Sequence, residues 1–292
     1  MRKAMKRIIP VFLLTALLIT SGCGIGIELP IKTERKTGPL QTTTIAIPEP
    51  NSPPPLNLEL AFGAGKMVVL PHAGEELVAG TASYNIADFK PEIRQGEHKI
   101  TLKQGNLKIN AVPTVNEKIK NEWSLALSDY PLDLTIRAGA YQGELELGGL
   151  ALTDLHITDG ASNVNLRFSR PNQEAMNAFR YETGGSNINL EKLGNANFQT
   201  LIFQGGGGNY HLDFSGALTR DAAVFIETGL SRLVIVVPDG VSAKAQFEGP
   251  LSKIIARGNW EQRGEEYFLT GEGPRINFTI ETKAGTVTLK NP

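Results

Sequence analysis

The sequence is poor in cysteine, in aromatic residues and in net charge, and each shortage excludes a class of protein. The single cysteine among 292 residues excludes a disulfide framework and any metal site built from several cysteines. The 29 basic residues are balanced by 30 acidic ones, without the basic surplus typical of nucleic-acid binding. Aromatic residues make up only 7% of the chain, which leaves few platforms for stacking against sugar rings.

Long hydrophobic runs are also absent, except at the N-terminus, where residues 1–22 are typical of an export signal. Four basic residues accompany an apolar run from Ile8 to Ile19, which is shorter than the roughly 20 residues of a membrane-spanning helix. The run ends at Thr20-Ser21-Gly22-Cys23, which resembles the lipobox of bacterial lipoproteins. We therefore expect a diacylglyceryl group on Cys23 that anchors the chain to the bacterial cell membrane on its extracytoplasmic side. An ordinary secretory signal with an incidental cysteine is the alternative.

Residues 23–56 are predicted to comprise the lipidated cysteine and a Pro-rich linker. The segment is polar and includes Pro48, Pro50 and the run Pro53 to Pro55. Closely spaced prolines favour an extended polyproline conformation without a packed core. The sequence therefore predicts a stalk, with its extended part from Leu40 to Pro55, that lifts the rest of the chain off the membrane.

From residue 56 onward, alternation of apolar and polar residues replaces any helical period, and an internal repeat is aligned on glycines. Apolar residues lie five and three positions before each glycine and four and six positions after it, with Gly143 as the exception. The anchoring glycines are Gly63, Gly139, Gly160, Gly184, Gly206 and Gly229. A last copy has Lys283 at the glycine position. A weaker copy is centred on Gly96, with Ile93, Ile100 and Leu102 in step.

Each repeat unit is predicted to consist of a strand, a glycine corner and a second strand. Consecutive glycines from 139 to 229 lie 21 to 24 residues apart, and a unit of this size buries its apolar face only against other copies. We therefore predict an all-β fold, a parallel stacked β-solenoid with rungs of about 21–24 residues. A β-sandwich would share the alternation but not the regular period. An N-terminal β region is expected at residues 57–130 and the solenoid repeats at 131–292.

Stacking the repeat units in register also aligns polar residues in two columns. Three positions after the glycines stand Gln142, Asn163, Asn187 and Asn209. Such amides form hydrogen-bonded ladders at solenoid corners, and a polar binding column is the alternative. Seven positions after the glycines stand Glu146, Arg167, Glu191 and Asp213, which form a candidate surface interaction column. At roughly 5 Å per rung, these carboxylates could bind Ca²⁺ or act as paired acids. We favour a solvated charge ladder, in which Arg167 balances its neighbours.

Sequence motifs for catalysis and for phosphate or metal binding are absent. The run Gly205 to Gly208 lacks the Lys-Ser/Thr pair and the helix of a phosphate-binding loop, so we interpret it as a tight corner. The four histidines are dispersed, and His156 and His211 are predicted to face solvent, so no zinc site is expected. No serine lies in a GxSxG motif. The sequence therefore predicts no enzyme activity and no cofactor.

Several spaced motifs resemble the toast-rack family, a group of uncharacterised bacterial surface proteins. The resemblance covers about residues 57–250. Its motifs are Leu58-Glu59-Leu60, Gly80-Thr81-Ala82-Ser83-Tyr84-Asn85, Phe89-Lys90-Pro91, Pro131-Leu132-Asp133-Leu134, Gly139-Ala140, Asp159-Gly160-Ala161-Ser162, Arg170-Pro171-Asn172 and Lys192-Leu193-Gly194-Asn195-Ala196. The resemblance implies a stacked β fold, with no established enzyme activity and no catalytic residues. Related domains occur in adhesin-like proteins and in membrane proteins of the cell-wall antibiotic response.

Together these features favour a membrane-anchored extracytoplasmic lipoprotein whose β-solenoid ectodomain has a non-enzymatic binding or structural role. The expected partners are the membrane, through Cys23, and an envelope protein or wall polymer, whereas no nucleic acid is expected. A regulatory sensor of the cell-wall antibiotic response is a second hypothesis, based on the family resemblance alone. A glycan-active enzyme is a third, based only on the column of Glu146, Glu191 and Asp213.

Overall fold

A computed structural model of the chain describes residues 37–105, 119–249 and 252–292. Within these ranges, seventeen β-strands are joined by turns, loops and two short 3-10 helices at Ala87–Phe89 and Leu193–Ala196. The strands are β1 (Gln41–Pro48), β2 (Leu56–Pro71), β3 (Glu76–Tyr84), β4 (Pro91–Gln95), β5 (Lys99–Gln104), β6 (Asn121–Leu127), β7 (Leu132–Glu146), β8 (Leu152–Asp159), β9 (Ala161–Arg167), β10 (Met176–Glu191), β11 (Phe198–Asp213), β12 (Ala222–Val236), β13 (Ser242–Glu248), β14 (Ser252–Arg257), β15 (Glu261–Arg263), β16 (Glu266–Leu269) and β17 (Arg275–Lys290). The predicted signal peptide and lipobox, with Cys23, lie outside the described residues.

Most of the strands pair in parallel as the rungs of one stack. Its order is β5 with β6, β2, β7, β8 with β9, β10, β11, β12, β17, and finally β13 with β14. The long strands β2, β7, β10, β11, β12 and β17 run through the corner without interruption. These pairings confirm the predicted parallel β-solenoid.

The core of the stack consists of the apolar positions that define the repeat. The position five residues before each corner is occupied by Leu58, Leu134, Leu155, Phe179, Leu201, Val224 and Phe278 in directly paired rungs. Each of these side chains is at most 1% exposed, and such burial contributes roughly 1.5–3 kcal/mol per residue. At the exception, Gly143, the Tyr141 ring fills the missing place, because a Cβ on Gly143 would lie 2.7 Å from Tyr141 Cε2.

Antiparallel strands cover both ends of the parallel stack. At the first rung, β3 pairs with β6, β1 pairs with β3, and β4 pairs with β5. At the last rung, β16 pairs with β13, and β15 pairs with β16. These additions extend each end of the stack beyond its last parallel rung.

The copy of the repeat that we predicted at Gly96 is not a rung corner. Gly96 lies in the turn between the antiparallel strands β4 and β5, and Ile93 on β4 is 42% exposed. Ile100 and Leu102 do belong to the core, but they pair with Leu58 and Leu60, which precede the corner of β2. Ile100 and Leu102 therefore lie before a corner of the stack, whereas the alignment of the repeat had placed them after one.

The predicted stalk is wrong for residues 41–48, which form β1. This strand pairs with β3 along its whole length, and Ile45 and Ile47 are fully buried. The alternation in Thr44-Ile45-Ala46-Ile47 is the signal of a half-buried strand, which the flanking prolines masked. Lys36–Pro292 forms one compact unit, and β2 pairs with β7 across the boundary expected at residue 130.

The stack does not follow the order of the strands along the chain. Strand β17 lies between β12 and β13, so the last strand of the sequence is inserted ahead of the last rung. The copy of the repeat with Lys283 is thus confirmed as a rung, in register with β12, but it is not the end of the stack.

Candidate functional site

The corner of the stack is a column of glycines whose backbones lie in close contact. The amide of Gly160 donates to the carbonyl oxygen of Gly139 at 2.9 Å. A Cβ on Gly184 would lie 2.3 Å from the oxygen of Gly160, and a Cβ on Gly229 would lie 2.2 Å from the oxygen of Gly206. Only glycine permits rungs to approach this closely at the corner, and its lack of a side chain leaves a shallow depression along the column.

This depression, here called the corner groove, has a volume of about 360 Å³. It is lined by Thr158, Asp159, Glu182, Thr183, Gln204, Gly205, Gly206, Glu227, Gly229 and Lys283. Lys283 stands where the glycine column ends, with its ammonium group 3.7 Å from Glu227, and Gln204 donates to the same carboxylate at 3.2 Å. Glu182 lies 3.5 Å from His156 and 3.7 Å from Arg180. The groove is therefore polar, and both of its glutamates have cationic or amide neighbours.

Beneath the groove lies Asp159, a carboxylate that is only 5% exposed. It accepts hydrogen bonds from the hydroxyls of Tyr181 at 2.8 Å, Ser162 at 2.8 Å and Thr183 at 2.5 Å. Burial raises the pKa of Asp159 above its usual value, although the hydrogen bonds from these hydroxyls oppose the shift. A buried carboxylate that is surrounded by hydroxyl donors stiffens the corner.

The tyrosines near Asp159 hold their protons at neutral pH. Burial, together with the charge of Asp159, raises the pKa of Tyr210 to about 12. Burial also raises the pKa of Tyr181 and of Tyr141 above the ordinary value, and Asp159 adds to both shifts. These side chains therefore act as neutral, packed groups rather than as bases or nucleophiles.

The inward position just before the corner is polar in several rungs, which our sequence analysis missed. It is occupied by Asp159, Thr183, Gly205, Thr228 and Thr282 in directly paired strands. The hydroxyl of Thr228 donates to Thr282 at 3.1 Å, and both side chains are buried. The recurrence of threonine one residue before the corner was the signal available in the sequence.

The predicted column of charged residues is brought together, seven positions after the corner. Arg167 pairs with Glu146 in the neighbouring strand on one side and with Glu191 on the other. Asp213 occupies the equivalent position in β11 and pairs with Val236 of β12. The guanidinium Nε of Arg167 lies 4.0 Å from the carboxylate of Glu191.

Each carboxylate in this column already has local hydrogen-bond donors. Glu146 accepts from the backbone amides of Gly148 at 2.7 Å and Ser169 at 3.0 Å. Glu191 and Asp213 are held by different groups. Asn189 donates to Glu191 at 2.8 Å, and the amide and hydroxyl of Ser215 donate to Asp213 at 2.9 and 2.7 Å. In the described ranges, no group of three or more His, Cys, Asp or Glu residues could hold a metal ion. Glu146 and Asp213 thus accept hydrogen bonds from neighbouring turns, whereas Glu191 lies near Arg167.

Amide ladders flank this column on the same outward surface. In the predicted ladder, Asn209 donates to Asn187 at 2.9 Å. A second ladder, two residues further along each strand, contains Glu144, Asn165, Asn189 and His211. Its links are Asn165 to Glu144 at 3.1 Å, Asn189 to Asn165 at 3.4 Å, and His211 to Asn189 at 2.8 Å. We call the outward surface formed three, five and seven positions after the corner the second face.

Among the residues that the structure describes, no helix is both long and apolar enough to cross a membrane. The fold is thus a parallel β-solenoid, with a polar groove along its corner and hydrogen-bonded ladders on its second face. Residues 36–184, 149 of the 292, match the family described as the N-terminal domain of toast_rack, DUF2154. The chain belongs to this family.

Matches to solved structures cover most of the chain. A putative cell adhesion protein from Clostridium sporogenes is 19% identical, with a TM-score of 0.49, and the match covers 87% of this chain and 100% of that one. A putative adhesin from Bacteroides fragilis is 11% identical, with a TM-score of 0.45 and coverage of 86% and 97%. One from Parabacteroides merdae is 11% identical, with a TM-score of 0.36 and coverage of 87% and 97%. No curated protein matches the chain.

Proposed function

We propose that the chain is a bacterial lipoprotein, anchored to the outer side of the cell membrane through Cys23, whose β-solenoid binds a component of the cell envelope without catalysing a reaction. The observation that carries the proposal is the second face, a sheet surface on which ladders of hydrogen bonds fix the polar side chains. Pre-ordered side chains lose little conformational entropy on binding, which favours recognition of an extended partner.

The absence of catalysis is supported by how the carboxylates are used. Asp159 is enclosed beneath the corner groove by three hydroxyl donors. Glu191 and Asp213 bind different groups, Asn189 and Ser215, instead of facing a shared space. A glycan hydrolase needs two carboxyl groups on opposite sides of one bond, with a proton held on one of them. The second face offers charge and hydrogen bonds, which are properties of a binding surface.

The anchor is tested by replacing Cys23 with alanine in cells that produce the full chain. We expect the wild-type chain to sediment with membranes and to carry the mass of a diacylglyceryl-modified cysteine, because the thiol is the only lipid-accepting group of the lipobox. Cys23→Ala should lose that mass and leave the membrane fraction. Ser21→Ala, which keeps a small residue at the same site, is the matched control and should behave as wild type. A Cys23→Ala chain that still carries lipid would refute the anchor.

Binding is tested by chemical cross-linking on intact cells, followed by mass spectrometry of what is covalently attached to the chain. Recovery of wall fragments on the chain would support binding to a wall polymer. A defined membrane protein, attached reproducibly, would instead favour the regulatory sensor of the cell-wall antibiotic response. Cells that yield neither kind of adduct would contradict a binding role.

A further inference from the structure

The charge of the second face changes sign along the stack. On β7, β9, β10 and β11, its outward positions carry amides, His211, one cation, Arg167, and the four carboxylates of Glu144, Glu146, Glu191 and Asp213, so the acidic groups are in excess. On β12, β17 and β14, the same three positions carry only basic, aliphatic and threonine residues. The four cations of this basic patch are Arg232, Lys253, Arg257 and Lys290.

The register of the strands sets the geometry of the basic patch. Arg232 and Lys253 flank Thr286 in one column, whereas Lys290 lies beside Arg257 in another. Rungs are separated by about 4.8 Å, and the two columns lie four residues apart along each strand, roughly 13 Å. Between them runs a strip formed by Val234, Thr288 and Ile255. The patch is therefore two basic columns on either side of a narrow aliphatic strip.

None of the four cations is neutralised within the described part of the chain. Arg232, Lys253 and Arg257 are exposed and Lys290 is half-buried, and no ion pair among the described residues includes any of them. Four cations before or at the corner do have partners: Lys99 and Arg137 with Glu59, Arg180 with Glu182, and Lys283 with Glu227. The charge of the basic patch is thus available to an anionic partner.

Protection of a sheet edge accounts for only half of the patch. Lys253 and Arg257 lie on β14, which pairs on one side with β17, and charged residues on such a strand discourage association with another edge. Arg232 and Lys290, however, lie on β12 and β17, each of which is paired on both sides. These two cations have no edge to protect.

We propose that the basic patch binds a linear polyanion bearing repeated phosphate groups, which lies along the aliphatic strip with its charges toward the two basic columns. This inference rests on the proposed function and names its ligand class. Two columns roughly 13 Å apart match a repeating chain better than a single small anion. A membrane surface fits less well, because the strip presents half-buried valine and isoleucine and buried threonine, with no protruding aromatic group to enter a bilayer.

The test measures binding of long-chain inorganic polyphosphate to the full chain carrying Cys23→Ala, which lacks the lipid-accepting thiol. The patch variant combines Arg232→Gln, Lys253→Gln, Arg257→Gln and Lys290→Gln. The control variant removes four positive charges from the other end of the stack, through Arg94→Gln, Lys99→Gln, Lys120→Gln and Arg137→Gln. We expect the patch variant to lose about tenfold or more in affinity at low salt and to show a weaker salt dependence, since fewer counterions are released.

The control variant should stay within about twofold of the parent chain, because its cations do not contact the ligand. Equal losses in the two variants, or no loss in the patch variant, would overturn the inference. Vesicles of phosphatidylglycerol in phosphatidylcholine form the second arm. A loss for the patch variant on vesicles but not on polyphosphate would also overturn it, in favour of a membrane surface. If polyphosphate binding fails while cross-linking to envelope components on cells persists, the ligand class is wrong and the binding function stands.

Discussion

At four consecutive corners of the stack, Gly160, Gly184, Gly206 and Gly229, a glycine backbone lies against the carbonyl oxygen of the corner glycine in the preceding rung. The contact is so close at Gly184, Gly206 and Gly229 that a Cβ would fall within 2.7 Å of that oxygen. Gly185, one residue after the column, is less constrained, because a Cβ there would have no neighbour nearer than 3.9 Å. The repeat in the sequence was therefore detectable because this contact demands glycine at the same place in consecutive rungs.

Gly184→Ala should lower the free energy of unfolding by about 1–3 kcal/mol, because the backbone must shift to relieve the overlap with Gly160. Gly185→Ala is the matched control, with the same chemical change one residue away, and its effect should stay within about 0.5 kcal/mol. Urea unfolding of the two variants, followed by circular dichroism, measures the difference. Equal destabilisation by both variants would contradict the close stacking at Gly184.

Asp159 should make stability depend on pH in a way that its neutral analogue does not. Burial raises the pKa of the folded state above the ordinary value of 3.8, so the folded state binds the proton more tightly than the unfolded chain. The stabilisation that comes from this tighter proton binding is therefore complete at pH values below the pKa of Asp159 in the unfolded chain. It is lost as the pH rises through the higher pKa of Asp159 in the folded state. The stability of the wild type relative to Asp159→Asn should fall as pH increases across that window.

Thermal unfolding of the wild type and Asp159→Asn at a series of pH values tests this directly. The comparison also cancels the contribution of Asp133, whose pKa is likewise raised by burial. A relative stability that increases with pH would show that the hydroxyl donors outweigh burial and favour the ionised carboxylate.

At the scale of elements, local alternation identified the rungs but not their neighbours. Four apolar columns were predictable, because the long strands β10, β11, β12 and β17 bury the same positions against one another. The place of β17 was not predictable, because its apolar residues fit the columns equally well at the end of the stack or ahead of β13. The choice depends on contacts far apart in sequence, which periodicity does not report.

The buried polar position at Asp159 escaped the sequence analysis for a different reason. The apolar rule was applied only to positions that repeat as hydrophobic residues, whereas Thr183, Thr228 and Thr282 repeat as hydroxyl donors and acceptors. The charged column at Glu191 was found because its residues share one outward position. What those carboxylates bind depended on turn geometry, which spacing along the chain does not determine.

Strand β1 should be part of the folded unit rather than of a stalk. Ile47→Ala should cost about 2–5 kcal/mol of stability, since the side chain is fully buried and its removal leaves a cavity. Thr44→Ala, on an exposed position of the same strand, should change stability by less than about 0.5 kcal/mol. Denaturant unfolding of both variants decides the matter, and an Ile47→Ala chain as stable as wild type would return residues 41–48 to the linker.

At the scale of the whole molecule, the stack separates its surfaces by role. Antiparallel strands extend both ends, which limits the parallel edges open to pairing with another chain. Cations before or at the corner are paired with Glu59, Glu182 and Glu227. The second face instead combines fixed amide ladders with the basic patch, so its polar groups are the ones available to a partner.

The central claim, that the second face meets an envelope component, is tested most directly by photo-cross-linking on living cells. A photoreactive amino acid would replace Asn187 or Thr286 on the second face, or, as a control, Asn277 on the opposite surface of β17. The account predicts covalent adducts from Asn187 and Thr286 and none from Asn277. Adducts from Asn277 alone, or from all three positions equally, would contradict it.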